Sequence, residues 1–478
     1  MKRIKKVLAL LLTGVVGFSA SACTAGQVLQ FMTLLLEGPS EISSSQTESS
    51  FGSFDFSDQS SIFDWLSSSQ WISSSKSSSS SEWWSSSEWS SSSEWSSSSE
   101  WSSSSEWWSS SEWGSSSEES SSEESSSEDE TVEEVILPQK KNVILLIGDG
   151  MGPNQIKAGE IFKGEKLCMQ TFPQRVNVET RSYDSQITDS AAASTALATG
   201  VRTNNGRVGV DPDDMELTTL VDIAASLGKR TGILTTGVLY GATPMGFSGH
   251  GLSRKEWLPL VQSASVSSNV NLFASYLLEE DYHEALKNGG YEKIPFAGDI
   301  STSTTDKIYG TYRIKSSAPS MTADQEVAFD YLVAEALNYL SQDEDGFFLM
   351  AEGAGIDHGG HNNDFVYMLN ELLAFDDAVS AVLKWASTRE DTVVIVTADH
   401  ETGDLSLHED MTKENMFDMD ENNQPLYYAW GRDWHSSTDM YCYVDGVDID
   451  FSKYSFSSNN RIKNTDIFKI IKALMIGG

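Results

Sequence analysis

Three short apolar runs recur along the C-terminal part of the chain, and an acidic residue follows each within two positions. Residues 142–147 (NVILLI), 346–351 (GFFLMA) and 392–397 (TVVIVT) are near-continuously hydrophobic. Such runs, without alternation, are the pattern of strands covered on both faces of a parallel sheet. A fourth strand is predicted at 230–235, after a helix at 218–227. A polar loop gives way at Ser190 to an alanine-rich stretch, the composition that most favours helix, and Gly200 is placed to stop it. An amphipathic helix is expected from Asp364 to about Trp385, capped by Asn363 or Asp364. The triplet Asn464-Thr465-Asp466 should cap a last helix over 467–475. Residues 272–288 read as helix, and the Ser/Thr-rich 301–317 as loop or insertion. The alternation of strand, loop and helix predicts an α/β domain with a mainly parallel central sheet over residues 136–478.

The first third is patterned differently. Residues 1–6 are basic and 7–18 apolar, so 1–22 read as a signal peptide. Cys23 follows Ala20-Ser21-Ala22, which suits lipid attachment at Cys23, while Ala20-x-Ala22 equally suits ordinary signal peptidase cleavage. No charge occurs from Val7 to Leu36, so an uncleaved anchor that includes segment 23–39 is a third reading. Each places the protein outside the cell, as a membrane-anchored lipoprotein at the surface or as a secreted chain. Residues 40–135 are Ser, Glu and Trp in low complexity, with Glu-Trp recurring every six residues from Glu82 to Glu112. A period of six matches neither helix nor strand, so this tract is expected to be a disordered linker. Its regularly spaced tryptophans leave two roles open, a solvated stalk or a set of contacts to cell-wall polymer.

Charge changes the picture little. The net charge is −38, and twenty acids against Lys76 between Glu41 and Val135 supply half of it. The acidity therefore describes the linker rather than the domain's substrate, and it argues against nucleic acid as a partner. Of three cysteines, Cys168 and Cys442 lie in the domain, where they could pair.

Candidate chemistry gathers at the strand ends. Asp149 closes the first run in Gly148-Asp149-Gly150, and strand C-terminal ends are where α/β sheets build sites. Glu352 ends the second, leading into a glycine-rich stretch with Asp357, His358 and His361. Asp399-His400 ends the third. Carboxylates and imidazoles so close together are ligands for a hydrolytic metal site. Ser190, opening a helix, would meet free N–H groups and the positive end of the helix dipole; alone, it could equally be a simple cap. Arg254 has the geometry to hold two phosphoryl oxygens, and alone would read as a surface arginine.

From about Lys141 to the C-terminus these motifs resemble the alkaline phosphatase family. The matching stretches are Gly148-Asp149-Gly150-Met151, Thr188-Asp189-Ser190-Ala191-Ala192, Asn205-Gly206-x-x-Gly209-Val210-Asp211 and Ala242-Thr243-Pro244. Ser253-Arg254, Glu352-x4-Asp357 with His361, and Thr397-Ala398-Asp399-His400 complete the set. The resemblance implies a mainly parallel sheet between helical layers and hydrolysis of phosphate monoesters through a phosphoserine on Ser190, with Arg254 on the phosphate. It implies one zinc on Asp149, Asp399 and His400, and a second on Asp357, His361 and His435. A third ion, usually magnesium, would sit on Asp149, Thr243 and Glu352. Family members are often dimers, so a homodimer is implied too.

Three departures matter. Gly241 stands where many members carry an acid or histidine supporting the third ion. His358 offers an extra ligand that would favour Zn²⁺ or Co²⁺ there. His435 is followed by Ser436-Ser437 instead of Thr-Gly, which leaves His408 as an alternative ligand. Two other functional readings remain at this level: a phosphodiesterase or sulfatase of the same superfamily, or a surface-binding protein with an inactive phosphatase-like domain.

Overall fold

The computed structural model describes residues 137–315, 326–454 and 461–477. The signal peptide, the anchor segment with Cys23 and the Ser/Glu/Trp linker lie outside these residues. In chain order the strands are β1 (Asn142–Gly148), β2 (Gln174–Glu179), β3 (Arg230–Thr235), β4 (Leu272–Tyr276), β5 (Glu292–Lys293), β6 (Ile308–Lys315), β7 (Glu326–Ala328) and β8 (Phe347–Gly353). There follow β9 (Thr392–Thr397), β10 (Glu401–Thr402), β11 (Leu405–Leu407), β12 (Tyr428–Trp430), β13 (His435–Ser436), β14 (Met440–Asp445) and β15 (Arg461–Lys463). The helices are α1 (Pro153–Lys163), α2 (Ser190–Thr199), α3 (Leu220–Ser226), α4 (Ala242–Ser248) and α5 (Trp257–Ser267). Beyond them lie α6 (Glu280–Asn288), α7 (Phe329–Leu340), α8 (Gly355–His361), α9 (Phe365–Ala386) and α10 (Asn464–Ile476).

β1 sits at the centre. It pairs in parallel with β8 on one side, Ile147 opposite Glu352, and with β9 on the other, Ile147 opposite Thr397. All residues of β1, β8 and β9 are buried, as the unbroken apolar runs predict. β3, β4 and β6 continue the parallel order on the β8 side. On the β9 side β14 runs antiparallel to both β9 and β2. The result is an eleven-stranded, mostly parallel sheet. Its helices form two packed groups, α1, α7 and α9 in one, and α2, α3, α4 and α10 in the other. Among the described residues no helix is long and apolar enough to cross a membrane.

Several expectations need correction. Residues 272–288 are not one helix: 272–276 form β4, and only Glu280–Asn288 is helical. Leu272, Phe273, Ala274 and Ser275 are all buried between β3 and β6, and this tertiary cover outweighs local propensity. The region 301–317, read as loop, contains β6; Ile308, Tyr309 and Tyr312 are buried along it, and the serines around it hid the strand signal. Helix α5 was not anticipated. The last helix begins at Asn464, and Asp466 accepts a hydrogen bond from the Lys463 N–H at its start. Asp364, not Asn363, caps α9. Cys168 and Cys442 are both free thiols.

Candidate active site

The three acids predicted at strand ends converge because β8, β1 and β9 are neighbours in register. Asp149 follows β1 directly, and its N–H bonds the Gly353 carbonyl 3.1 Å away. Gly150 then turns with φ +72°, a conformation that costs glycine little. Its N–H donates to Asp399 Oδ1 at 3.1 Å, which ties the β1 and β9 ends together. Glu352 closes β8 and accepts a short hydrogen bond from the Thr235 hydroxyl on β3.

Ser190 is the first residue of α2, and Asp189 is its cap, accepting from the Ala192 N–H at 2.9 Å. The capping role is thus filled by a neighbour, and the buried Ser190 hydroxyl is left for other work. It lies 3.1 Å from His400 Nε2. Asp189 is itself held in place: the Asn205 side chain accepts from its N–H at 3.0 Å, and the Gly206 N–H and Arg254 Nη1 donate to its Oδ2 at 3.0 and 3.1 Å. The Asn205-Gly206 motif and Arg254 therefore meet beside Ser190.

The imidazoles carry the clearest chemical signal. His361 Nδ1 lies 2.7 Å from the Asp433 carbonyl, and His435 Nδ1 lies 2.8 Å from that of Thr188. A carbonyl only accepts, so each Nδ1 bears a proton, and in the neutral ring each Nε2 then offers its lone pair. Those two Nε2 atoms face each other at 3.3 Å, with Asp357 Oδ1 3.4 Å from the first and 3.6 Å from the second. Three acceptors turned toward one point repel unless a cation lies among them. A second such group comprises Asp149, Asp357 and His400, with His400 Nε2 3.7 Å from Asp149 Oδ1 and 3.1 Å from Asp399 Oδ2. Asp149 Oδ1 is buried without a hydrogen-bond partner, and the buried Asp399 Oδ2 and Thr243 Oγ1 have lone pairs to spare beyond their contacts with His400 and Glu352. Buried polar atoms are nearly always paired, so these three are the atoms metal ions would satisfy.

The electrostatics agree. Burial, then Asp399, Asp357 and Glu352, push the Asp149 carboxyl well above its ordinary value. Burial pushes Glu352 up to about 7 against the pull of the Thr235 hydroxyl. Burial would raise Asp357 as well, but its charged surroundings, His400 foremost, outweigh that and hold it low. Burial and the charge of His400 push His435 down to about 3, so it is neutral, as a ligand must be.

These shifts make a prediction for the metal-free protein. Unfolded carboxyls ionise near pH 4, whereas native Glu352 and Asp149 hold their protons to higher pH. The native state thus binds more protons than the unfolded one, and stability falls as pH rises through about 7. His400 adds to the trend: burial lowers its pKa, but Asp399 and Asp357 outweigh that and raise it, so its stabilising charge is lost on the alkaline side. His435 costs stability only below its unfolded value of about 6.5. Chelated protein should therefore show a melting temperature that declines as pH rises from about 6.5, the unfolded value of histidine, through the raised folded-state values of these groups, and zinc should flatten the curve. A rise over that interval would contradict the arrangement.

Of the ten positions singled out in the sequence, the structure brings nine to one edge of the sheet: Asp149, Ser190, Thr243, Glu352, Asp357, His361, Asp399, His400 and His435. Arg254 stands beside them through Asp189. His358 is exposed and His408 pairs with Asp410 in solvent; neither joins a ligand group. Gly241 directly precedes α4 and contributes no side chain to the third position. Sequence reading missed Thr402, whose hydroxyl donates to Asp357 Oδ1 at 2.5 Å and lies 3.3 Å from His400 Nδ1. It also missed Trp434, which stacks on His435 at 4.4 Å opposite the His400 ring at 3.5 Å. Closeness to a ligand in sequence was the available signal: Trp434 directly precedes His435, and Thr402 follows His400 by two residues.

Comparison with known proteins supports this geometry. The chain is 30% identical over 295 residues to alkaline phosphatase 3 of Bacillus subtilis, a match covering 56% of this chain and 63% of that protein. It therefore spans a little under two thirds of that relative's length. It is 30% identical over 329 residues to the alkaline phosphatase of Escherichia fergusonii, covering 54% and 70% of the two chains. The alkaline phosphatase of the Antarctic bacterium TAB5 superposes with a TM-score of 0.61 at 28% identity, covering 72% of this chain and 99% of the other. The family model described as alkaline phosphatase matches residues 140–314 and 305–425, more than half of the chain and most of the strand-end ligand groups. A serine opening a helix against paired ligand clusters, on this sheet and with these relatives, is the pattern of one family: the chain belongs to the alkaline phosphatases.

Proposed function

We propose that this protein hydrolyses phosphate monoesters through a covalent phosphoserine on Ser190. The observation that carries the reading is the bare, mutually facing ligand set of Asp357, His361 and His435 beside Asp149, Asp399 and His400, with the Ser190 hydroxyl 3.1 Å from His400. Two zinc ions suit those groups, one on Asp149, Asp399 and His400 and one on Asp357, His361 and His435. A third ion, magnesium, suits the oxygen ligands Asp149, Thr243 and Glu352. Because Gly241 adds no ligand and His358 points elsewhere, Zn²⁺ or Co²⁺ gains no extra nitrogen at that position. Bound ions would lower the pKa of the attacking groups and offset the charge on the phosphoryl oxygens.

The chain's own residues do the rest. Asp189 caps α2 and so aims its free N–H groups, with the Ser190 hydroxyl, at the incoming phosphate. Asp189 also fixes one arm of Arg254, leaving its other N–H groups for two phosphoryl oxygens. Ser190 Oγ attacks phosphorus and the P–O bond to the alcohol breaks; water then cleaves the phosphoserine and returns the hydroxyl. We further read the protein as exported and held at the cell surface through an N-terminal lipid or anchor, with the Ser/Glu/Trp linker as stalk or cell-wall contact, and as a homodimer.

The test compares p-nitrophenyl phosphate with its diester analogue at alkaline pH. Monoester turnover that chelation removes and zinc restores is the expected result. Faster diester turnover would move the assignment to a phosphodiesterase, and inactivity in every metal would leave a binding protein.

A further inference from the structure

One buried acid beside the site has no part in the mechanism above. Glu401 follows His400 directly and is 3% exposed. Gln155 Nε2 and the Leu405 N–H donate to its Oε1 at 2.9 and 3.1 Å. The Asp404 N–H donates to its Oε2 at 3.1 Å, and the Ser436 hydroxyl adds a short bond to the same oxygen. Each oxygen thus accepts twice from protein donors, so neither has a lone pair directed to an ion. Glu401 is not a ligand.

Its contacts show another employment. β10 and β13 are two-residue strands paired antiparallel, Glu401 opposite Ser436 and Thr402 opposite His435. Strands so short have little stability of their own. The Glu401–Ser436 bond fastens one end of the pair, while Gln155, fully buried near the start of α1, fastens Glu401 to the segment after Asp149. Room for this is made at Gly152, where a Cβ would lie 2.2 Å from Glu401 Cγ. The Ser436 that departs from the family's Thr-Gly is thereby absorbed into the site.

We propose that Glu401 is a positioning residue that holds His435, through Ser436, at the distance from His361 and Asp357 at which an ion is bound. The proposal rests on the phosphatase reading only in taking His435 as a metal ligand. Partners of ligands, when removed, cost about tenfold to a hundredfold in metal affinity.

The experiment titrates the full-length chain with Co²⁺, followed by its visible absorption and by competition with a chelator. His435→Ala marks which binding step belongs to the His435 site. Glu401→Ala should weaken that step by about tenfold to a hundredfold and leave the others unchanged. Ser436→Ala, which breaks one bond of the four, should weaken the same step less, and Glu401→Gln should fall between them. Should Glu401→Ala not fold, Ser436→Ala carries the test. Equal weakening of every step, which a merely structural role would give, overturns the proposal, as does unchanged Co²⁺ affinity in the variants. A wild-type chain that binds no Co²⁺ removes the metal reading and this one together. One that binds it but hydrolyses no monoester removes the phosphatase reading alone.

Discussion

Ser190→Ala protein is expected to hydrolyse p-nitrophenyl phosphate on the order of a thousandfold more slowly, or worse, while binding metal as the parent does. The reasoning is spatial. Ser190 is buried at the start of α2, Asp189 already supplies the cap, and the hydroxyl's contact is His400 Nε2 at 3.1 Å. Removing one oxygen therefore disturbs neither the helix nor the ligand groups. It deletes the only protein atom proposed to bond to phosphorus. Steady-state kinetics beside a metal titration check both halves. Turnover within tenfold of the parent would show that the nucleophile lies elsewhere. Lost metal affinity would show that the serine acts through the ligands instead.

Asp357→Asn should have an effect as large on activity and a larger one on metal content. Asp357 belongs to both ligand groups, with His361 and His435 on one side and with Asp149 and His400 on the other. It is also held low by those same histidines, so its negative charge is what the two positions share. An amide of the same shape removes that charge. The bound ions should fall from two tight sites to at most one, measured on dialysed protein by atomic emission. A variant that keeps both ions at parental affinity would mean that Asp357 is peripheral.

Much of this was legible before the structure because fully buried parallel strands leave a plain hydrophobic trace. The runs ending at Asp149, Glu352 and Asp399 announced both the sheet and its functional edge. β4 and β6 were not legible. Leu272–Tyr276 is too short to separate from the helix that follows, and what makes it a strand is its place between β3 and β6, which no local pattern records. At the site, ligand side chains were readable and their supports were not. Thr402 donates to Asp357, and the Thr188 and Asp433 carbonyls orient His435 and His361. A carbonyl has no letter in a sequence, and a threonine hydroxyl acquires its role only from what folds against it. The choice between His408 and His435 was of the same kind. Pairing of β10 with β13 brings His435 inward, while His408 remains in solvent.

The central place of β1 has a consequence for how the chain is made. Both of its edges are filled by strands roughly 200 and 250 residues further on. At a synthesis rate of about 5–20 residues per second, this apolar strand waits on the order of ten to forty seconds for its first partner to emerge. Throughout that interval the nascent chain carries two open, hydrophobic strand edges, the most adhesive surface a polypeptide can offer. The strand at the centre of the finished sheet is thus, during synthesis, a segment that a chaperone would have to cover.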